Sequence, residues 1–281
     1  MAATITSPVR PAPNSPPAPL ERGADGIWYA RDREPISYLE EGNAVCFELE
    51  EKSFWFQHRA ECLTAVIRRF PPSGAIYDLG GGNGFVSRAL IDAGFEAVLV
   101  EPGEAGARNA VKRGIKTVIC ATLSTAKFAA GSLPAAGIFD VLEHVEDAAS
   151  FLGEIERCLA RNGRLYITVP AHPWLWSDDD VAAGHFRRYT LETLSREVEA
   201  AGFTSLYRTY LFSPLPLPLF ALRCLPSLFG KRALPRKTYG DLHQQRAPWL
   251  TDRIWAAERS QIKAGRKIPF GSSCLLVAEK R

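Results

Sequence analysis

The amino-acid sequence, 281 residues long, predicts an α/β fold with a doubly wound, mostly parallel sheet and helices on both faces. Short apolar segments typical of buried strands alternate along the chain with amphipathic helical segments. A glycine-rich turn at residues 80–84 follows one of these strands and opens the next helix. Asp78 and Glu101 each stand at the end of a predicted strand. In sheets of this kind, ligands bind beyond the carboxyl ends of the strands, where such side chains gather.

The predicted elements follow one another from residue 75 to the end of the chain. We predict strands at residues 75–79, 97–100, 117–119, 137–141, 164–169, 204–212 and 273–278. Helices are predicted at residues 85–93, 104–112, 148–161, 191–201 and 249–263. Asp147 and Thr190 are N-caps for two of these helices, and Asn162 with Gly163 is predicted to end the first of the two.

Composition divides the chain into three parts. Residues 1–24 contain six prolines and no periodicity, which predicts a disordered tail. Residues 25–74 are predicted to form a helical cap, because residues 53–70 carry an apolar stripe at helical spacing. Residues 75–281 form the main domain, with an insert at about 211–238 that is first apolar and then basic. Alternating leucine and proline at 214–218 argue against a regular helix there.

Composition also excludes several classes of protein. Thirty-four basic residues against 31 acidic ones give a net charge of +3, too small to indicate nucleic-acid binding. The N-terminus lacks the apolar region of a signal peptide, and no uncharged apolar run reaches 18 residues, so we expect a cytoplasmic protein. The six cysteines lack the spacing of metal sites; we expect buried free thiols and predict no metal.

The residues around the first turn predict a cofactor that contains a nucleoside. Gly80, Gly82 and Gly84 allow a sharp turn and a close approach of ligand to backbone, and the following helix offers free N–H groups. Glu101, 21 residues after Gly80, is placed to accept both hydroxyls of a ribose. Asp78 would repel a pyrophosphate but suits a cationic ligand such as a sulfonium or ammonium group.

A dinucleotide cofactor fits the same turn less well. The GxGxxG fingerprint needs a small residue at its last position, where Phe85 or Ser87 stands in this sequence. An NAD(P)-linked enzyme is therefore an alternative, and a non-catalytic binding module that keeps the cofactor fold is a second one.

Residues 77–102 read YDLGGGNGFVSRALIDAGFEAVLVEP, which resembles the first two motifs of the class I S-adenosylmethionine-dependent methyltransferases. The resemblance implies a Rossmann-like sheet of about seven strands with an antiparallel last strand, and S-adenosylmethionine as cofactor. Asp78 and the glycines would hold the methionine portion, Glu101 the ribose, and residues 121–123 the adenine. The cofactor-binding residues so implied are Asp78, Gly80, Gly82, Gly84, Glu101, Thr122, Leu123 and Asp140.

Two later segments are predicted to supply the acceptor site. Residues 140–144, DVLEH, resemble a family segment in which His144 would orient the cofactor or touch the substrate. Residues 175–189 resemble a subgroup with the pattern LWS, GH and RRY. A carboxylate beside an imidazole can orient a general base, so the candidate catalytic residues are His185, Asp180 and His144. The candidate substrate-binding residues are Trp176, Arg187, Arg188 and Tyr189.

The predicted function is methyl transfer to a small-molecule or lipid-like acceptor. A nucleic-acid acceptor is disfavoured, because DVLE stands where nucleic-acid methyltransferases of this class carry an Asp/Asn-Pro-Pro-aromatic motif. The apolar and basic insert at 211–238 fits peripheral contact with an anionic membrane surface, a wall around an apolar substrate, or a covering flap or dimer contact, and the sequence leaves these open. Whether oxygen, nitrogen or carbon receives the methyl group stays open, as does the oligomeric state.

Overall fold

The structure is a computed structural model, and it describes residues 20–32, 47, 49–228 and 249–281. Its strands are β1 (Leu20–Arg22), β2 (Trp28–Ala30), β3 (Ile76–Leu79), β4 (Ala97–Val100), β5 (Val118–Cys120), β6 (Leu133–Phe139), β7 (Leu159–Pro170), β8 (Phe203–Leu211) and β9 (Ser273–Lys280). They form one sheet in the order β1-β2-β5-β4-β3-β6-β7-β9-β8.

Helices cover both faces of this sheet. They are α1 (Phe54–Arg69), α2 (Phe85–Asp92), α3 (Glu104–Lys112), α4 (Leu123–Ala126), α5 (Ala148–Cys158), α6 (Asp178–Ala183), α7 (Leu191–Ala200), α8 (Pro216–Leu219), α9 (Leu225–Leu228) and α10 (Trp249–Lys263). A π-helical segment, Phe220–Cys224, joins α8 to α9, and short 3-10 helices occupy Leu142–His144 and Pro173–Leu175.

Seven of the strands form the predicted doubly wound sheet. β3 pairs in parallel with β4 and β6, and the parallel pairs β4–β5 and β6–β7 extend the sheet on either side. The last strand, β9, runs antiparallel to both β7 and β8. Six successive residues of β9 are buried, as expected of a strand that is covered on both faces. The predicted α/β class and the antiparallel last strand are confirmed.

Two additional strands enlarge the sheet beyond the predicted seven. β1 lies within the segment predicted to be a disordered tail, and β2 lies within the predicted helical cap. β2 pairs in parallel with β5 through Trp28 and Tyr29, and β1 pairs with β2 at the edge. The first 19 residues of the chain lie outside the described residues, so for them the tail stays a prediction.

Several element boundaries differ from the prediction for identifiable reasons. β6 ends at Phe139 rather than at residue 141, because Asp140 has the left-handed φ of 58°. α5 ends at Cys158, and β7 begins at the next residue, so Asn162 and Gly163 lie inside a strand instead of ending a helix. The caps at Asp147 and Thr190 are confirmed, since each side chain accepts a hydrogen bond from a backbone N–H of its helix.

The insert and the helix after it also differ in detail. The Leu-Pro segment is helical, because Pro216 stands in the first turn of α8, where the missing N–H has no partner to lose. α10 confirms the predicted helix at 249–263; within it Trp255 is buried, whereas Ile254 and Ala257 are exposed. Residues 229–248 lie outside the described part of the chain.

A buried polar link attaches α10 to α1. Glu258 accepts hydrogen bonds from the backbone N–H of Phe212 at 2.6 Å and of Ser213 at 2.8 Å. Its carboxylate also lies 2.9 Å from Nε2 of His58 on α1. Burial by itself would raise the pKa of Glu258, but the hydrogen bonds, that of His58 first, hold the pKa below its usual value. This link fixes α1 over the carboxyl ends of the central strands.

Five cysteines are buried free thiols as predicted: Cys62, Cys120, Cys158, Cys224 and Cys274. The sixth, Cys46, lies outside the described residues. No helix in the described part of the chain combines the length and the apolar character needed to cross a membrane.

Candidate functional site

A cavity of about 700 Å³ opens at the carboxyl ends of β3 to β6, where the sequence places the predicted cofactor site. This volume lies within the range typical of small-molecule sites. Seven of the eight predicted cofactor residues line the cavity: Asp78, Gly80, Gly82, Glu101, Thr122, Leu123 and Asp140. Residues as far apart in the sequence as Asp78 and Asp140 therefore line the same cavity.

The glycine turn brings backbone rather than side chains to the cavity. Gly80 and Gly82 have φ values of 74° and 55°, in the left-handed region that favours glycine. A Cβ at Gly80 would lie 2.9 Å from Val141, whereas a Cβ at Gly82 would have no protein neighbour within 4 Å. Gly82 therefore leaves its surroundings open to a ligand.

Gly84, the eighth predicted residue, does not line the cavity. It is the N-cap of α2 with φ 78°, and a Cβ there would lie 2.4 Å from Ile115 and 3.0 Å from Ala110. The close packing of α2 on α3 accounts for this glycine. The structure therefore gives Gly84 a role in helix packing and does not place it at the predicted cofactor site.

We expect Gly84→Ala to lower the free energy of unfolding by about 2–4 kcal/mol, because left-handed strain and overpacking combine at this position. Urea unfolding measures the loss. Gly94→Ala is the matched control, since Gly94 also has a left-handed φ of 90° but no atom within 4 Å of its Cβ position. Equal losses in the two variants would contradict the packing role of Gly84.

The carboxylates of Asp78, Glu101 and Asp140 form one side of the cavity, which we call the acidic wall, and each interacts with other residues of the protein. Asp78 is buried and accepts a 2.6 Å hydrogen bond from the Ser87 hydroxyl; burial raises the pKa of Asp78 to about 6. Glu101 accepts 2.8 Å hydrogen bonds from the backbone N–H groups of Gly82 and Gly103. The loop and the carboxylate thus fix each other's position.

Asp140 completes the acidic wall through an ion pair with Arg59. Its other carboxylate oxygen, Oδ1, is buried and accepts no hydrogen bond from the described residues. Arg59 is buried on α1, stacks over Phe56, and is the lining cation that sequence reasoning missed. Also missed were the lining residues Glu50, Trp55, Asn83 and Phe186.

This wall fits S-adenosylmethionine. The cofactor is a cation at its sulfonium and ammonium groups, and the carboxylates Asp78, Glu101 and Asp140 outnumber the one arginine beside them. The buried oxygen of Asp140 offers an unused acceptor to such a ligand. Thr122 caps α4 next to Leu123, at the side where the sequence predicts adenine.

The predicted pair of Asp180 and His185 forms, but behind the cavity rather than on its surface. Oδ1 of Asp180 lies 2.9 Å from Nδ1 of His185 and accepts a 2.7 Å hydrogen bond from Nε of Arg188. Oδ2 accepts from the backbone N–H of Ser177 at the start of α6. Burial would raise the pKa of Asp180, yet these partners together hold it below its usual value.

His144 lines the cavity and separates it from this pair. The rings of His144 and His185 meet edge to face with centroids 4.7 Å apart. Burial, with His185 as the second cause, lowers the pKa of His144 to about 4, so its imidazole is neutral at pH 7. The neighbouring Glu143 is buried, and burial raises its pKa to about 8.

The four predicted substrate residues are not brought to the cavity. Arg188 is held by Asp180 and by the carbonyl of Ala171, while Arg187 donates to the carbonyls of Val145 and Glu146. Tyr189 is buried in the main core, and Trp176 is exposed. Acceptors of the protein's own loops therefore hold one guanidinium nitrogen of Arg187 and two of Arg188.

The described part of the insert presents apolar side chains to solvent. Leu217, Leu222 and Leu225 are exposed along the helical segment from α8 to α9. Among the basic residues of the insert, Arg223 lies 3.5 Å from the Asp179 carboxylate, and the others lie among residues 229–238, outside the described part of the chain. Membrane contact through 211–238 therefore stays a prediction.

Comparison with known families gives a match that covers over half of the chain. The model of a methyltransferase domain family, described as "Methyltransferase domain", matches residues 53–207. This range includes the glycine turn, the acidic wall and the His144–His185 segment. No curated protein sequence matches the chain.

Solved structures share the fold at low sequence identity. A Haloferax volcanii protein, solved with the Trm112 methyltransferase activator, is 15% identical with a TM-score of 0.56, covering 85% of this chain and 94% of that one. Phosphoethanolamine N-methyltransferase 2 of Haemonchus contortus, solved with S-adenosylmethionine, is 18% identical with a TM-score of 0.55, covering 87% and 58%. A Thermotoga maritima S-adenosylmethionine-dependent methyltransferase is 17% identical with a TM-score of 0.53, covering 86% and 95%.

The geometry of the acidic wall is consistent with a cationic cofactor, and the family match adds the class of reaction, methyl transfer. The chain therefore belongs to the methyltransferase domain family, as a class I S-adenosylmethionine-dependent methyltransferase.

Proposed function

We propose that this protein transfers the methyl group of S-adenosylmethionine to a small-molecule or lipid-like acceptor. The observation that carries the proposal is a cavity of about 700 Å³ that is lined by acidic side chains at one end and by aromatic side chains at the other. A drug-sized cofactor and a second small molecule both need enclosure for their reacting atoms to meet.

The cofactor end of the cavity is the acidic wall. When bound, S-adenosylmethionine supplies a methyl group on a sulfonium, which is activated for in-line displacement. Asp78 and Asp140 would attract the cationic methionine portion, while Glu101 would accept from the ribose hydroxyls. The backbone at Gly82 leaves the space that such a ligand needs.

The acceptor end is formed by aromatic side chains from three separate segments. Trp55 and Phe56 come from α1, Phe151 from α5, and Phe186 from the loop after α6. These rings would exclude water and cover an apolar acceptor, which supports a small-molecule or lipid-like substrate. Correct alignment of the acceptor atom then supplies much of the rate enhancement.

His144 is the candidate group for contact with the acceptor. Its neutral imidazole lines the cavity and can accept a hydrogen bond from an acceptor hydroxyl or amine. Asp180 and His185 stand behind His144 and would position it, rather than touch the substrate. In this proposal, His144 contacts the acceptor, and Asp180 and His185 position His144.

Calorimetric titration of the full chain with S-adenosylmethionine, S-adenosylhomocysteine and NADPH tests the proposal. We expect saturable micromolar binding of the two sulfur compounds and none of NADPH, because the acidic wall repels a pyrophosphate. Transfer of labelled methyl to a panel of hydroxyl and amine acceptors would follow.

The alternatives give different titration results. Binding of NADPH without either sulfur compound would support an NAD(P)-linked enzyme. Binding of the sulfur compounds with no transfer to any acceptor would favour a non-catalytic module that keeps the cofactor site.

A further inference from the structure

We propose that Glu143, His144 and His185 bind a divalent transition-metal ion, with zinc as the first choice, at the back of the cavity. Each residue offers one ligand atom, and the three atoms lie within 4.8 Å of one another. Two imidazole nitrogens and one carboxylate oxygen are a donor set found in catalytic zinc sites, which keep a further position open. Ligand atoms around a tetrahedral zinc are about 3.4 Å apart, so a small contraction would complete the site.

Glu143 provides the second, independent observation. It is 1% exposed, and its Oε2 accepts no hydrogen bond anywhere in the described part of the chain. Arg59 and Arg188 are close enough to act on its charge, but Arg59 is bound to Asp140 and Arg188 to Asp180. A buried carboxylate oxygen without a donor is unfavourable, and a bound cation would satisfy it.

Both imidazoles are oriented by a second partner, as metal-binding histidines usually are. Nδ1 of His185 lies 2.9 Å from Asp180, which leaves Nε2 as the ligand atom. The imidazole of His144 is hydrogen-bonded to the backbone at Gly184.

A second cluster among the described residues differs from the first because its carboxylate already has hydrogen-bond partners. His58, Cys62 and Glu258 are also close together, and all three are buried. The carboxylate of Glu258, however, already accepts from Phe212, from Ser213 and from His58. We assign no metal to that cluster, because its acceptor atoms are in use within the fold.

The position of the proposed metal next to the cavity suggests a role in binding the methyl acceptor. His144 lines the cavity, so the open coordination position would face the acceptor end, and the metal rather than the imidazole of His144 would then contact an oxygen of the acceptor. Coordination lowers the pKa of a bound hydroxyl, which would favour oxygen acceptors. This role rests on the proposed function, whereas metal binding itself does not.

Titration of the chelator-treated full chain with Co²⁺ tests the site, because Co²⁺ bound by nitrogen and oxygen ligands absorbs visible light. We expect one equivalent to bind and Zn²⁺ to displace it. Glu143→Gln and His185→Gln should each weaken Co²⁺ binding at least about tenfold. Glutamine is isosteric with glutamate, and thermal unfolding would show that both variants are folded.

His172→Gln is the matched control, since His172 is a buried histidine outside both clusters, and it should bind Co²⁺ as the wild type does. Absence of a visible spectrum in the wild type would overturn the proposal. So would binding that His58→Gln abolishes while Glu143→Gln leaves it intact. Titration of the metal-free protein with S-adenosylmethionine is a separate readout, so the proposed function can stand if the metal site fails.

Discussion

Glu258→Ala is expected to lower the free energy of unfolding by about 3–5 kcal/mol, a large part of the stability of most single domains. Three donors lose their acceptor together: the buried backbone N–H of Phe212, the buried imidazole of His58 and the half-buried backbone N–H of Ser213. Each buried polar group without a partner costs about 1–3 kcal/mol. Equilibrium unfolding in urea measures the loss.

The same variant is expected to disturb the cavity, because α1 carries Trp55, Phe56 and Arg59 into it. Asp252→Ala, an exposed acidic residue on the same helix, is the matched control and should change stability by less than about 0.5 kcal/mol. Glu258→Gln keeps one acceptor oxygen and should fall between the two. Equal unfolding free energies for Glu258→Ala and Asp252→Ala would refute the structural role of this link.

The seven-stranded part of the fold could be predicted because its signals are local. Each strand from β3 to β9 contains a short apolar run, and the longer connecting helices each have an apolar stripe. The strands β1 and β2 lie before this alternation of strands and helices begins, so no neighbouring helix signal marks them. β2 pairs with β5, a contact across about 90 residues that local patterns do not contain, and β1 pairs only with β2.

The cofactor wall could be predicted for a related reason. The carboxyl ends of parallel strands meet at one edge, so Asp78 and Glu101 could be placed together from their positions in the strand pattern. Gly84 carried the same sequence signal as Gly80 and Gly82. It differs because Ile115 and Ala110 occupy the space beside it, which only the packing of α3 reveals.

The acceptor end could not be predicted, because its residues come from parts of the chain that meet only after folding. Arg59 reaches Asp140 across 81 positions, and α1 is held there by Glu258 from near the end of the chain. Arg187 and Arg188 were assigned to substrate because an arginine pair in a polar loop is typical of anion binding. In the structure, Asp180 and backbone carbonyls of the protein accept hydrogen bonds from both guanidinium groups.

Asp78→Asn is expected to weaken S-adenosylmethionine binding by about 10- to 100-fold, because a hydrogen bond to a charged group contributes about 1.5–3 kcal/mol. Asparagine keeps the shape of the side chain and an oxygen acceptor for Ser87, so the loss reports the charge rather than the fold. Calorimetric titration measures it. Asp92→Asn is the matched control, since Asp92 is an exposed carboxylate on α2.

The pH dependence of binding separates the charge of Asp78 from its packing. Burial raises the pKa of this carboxyl to about 6, so the group is ionised at pH 8 and largely protonated at pH 5. Since the ligand is cationic, wild-type affinity should fall as the pH is lowered through 6, and the ligand itself will shift this transition to lower pH. The Asp78→Asn variant lacks the titrating group, so its affinity should change less over the same interval. A wild type and variant with parallel pH profiles would mean that Asp78 shapes the turn through Ser87, and that the cation is held by Asp140 and Glu101 instead.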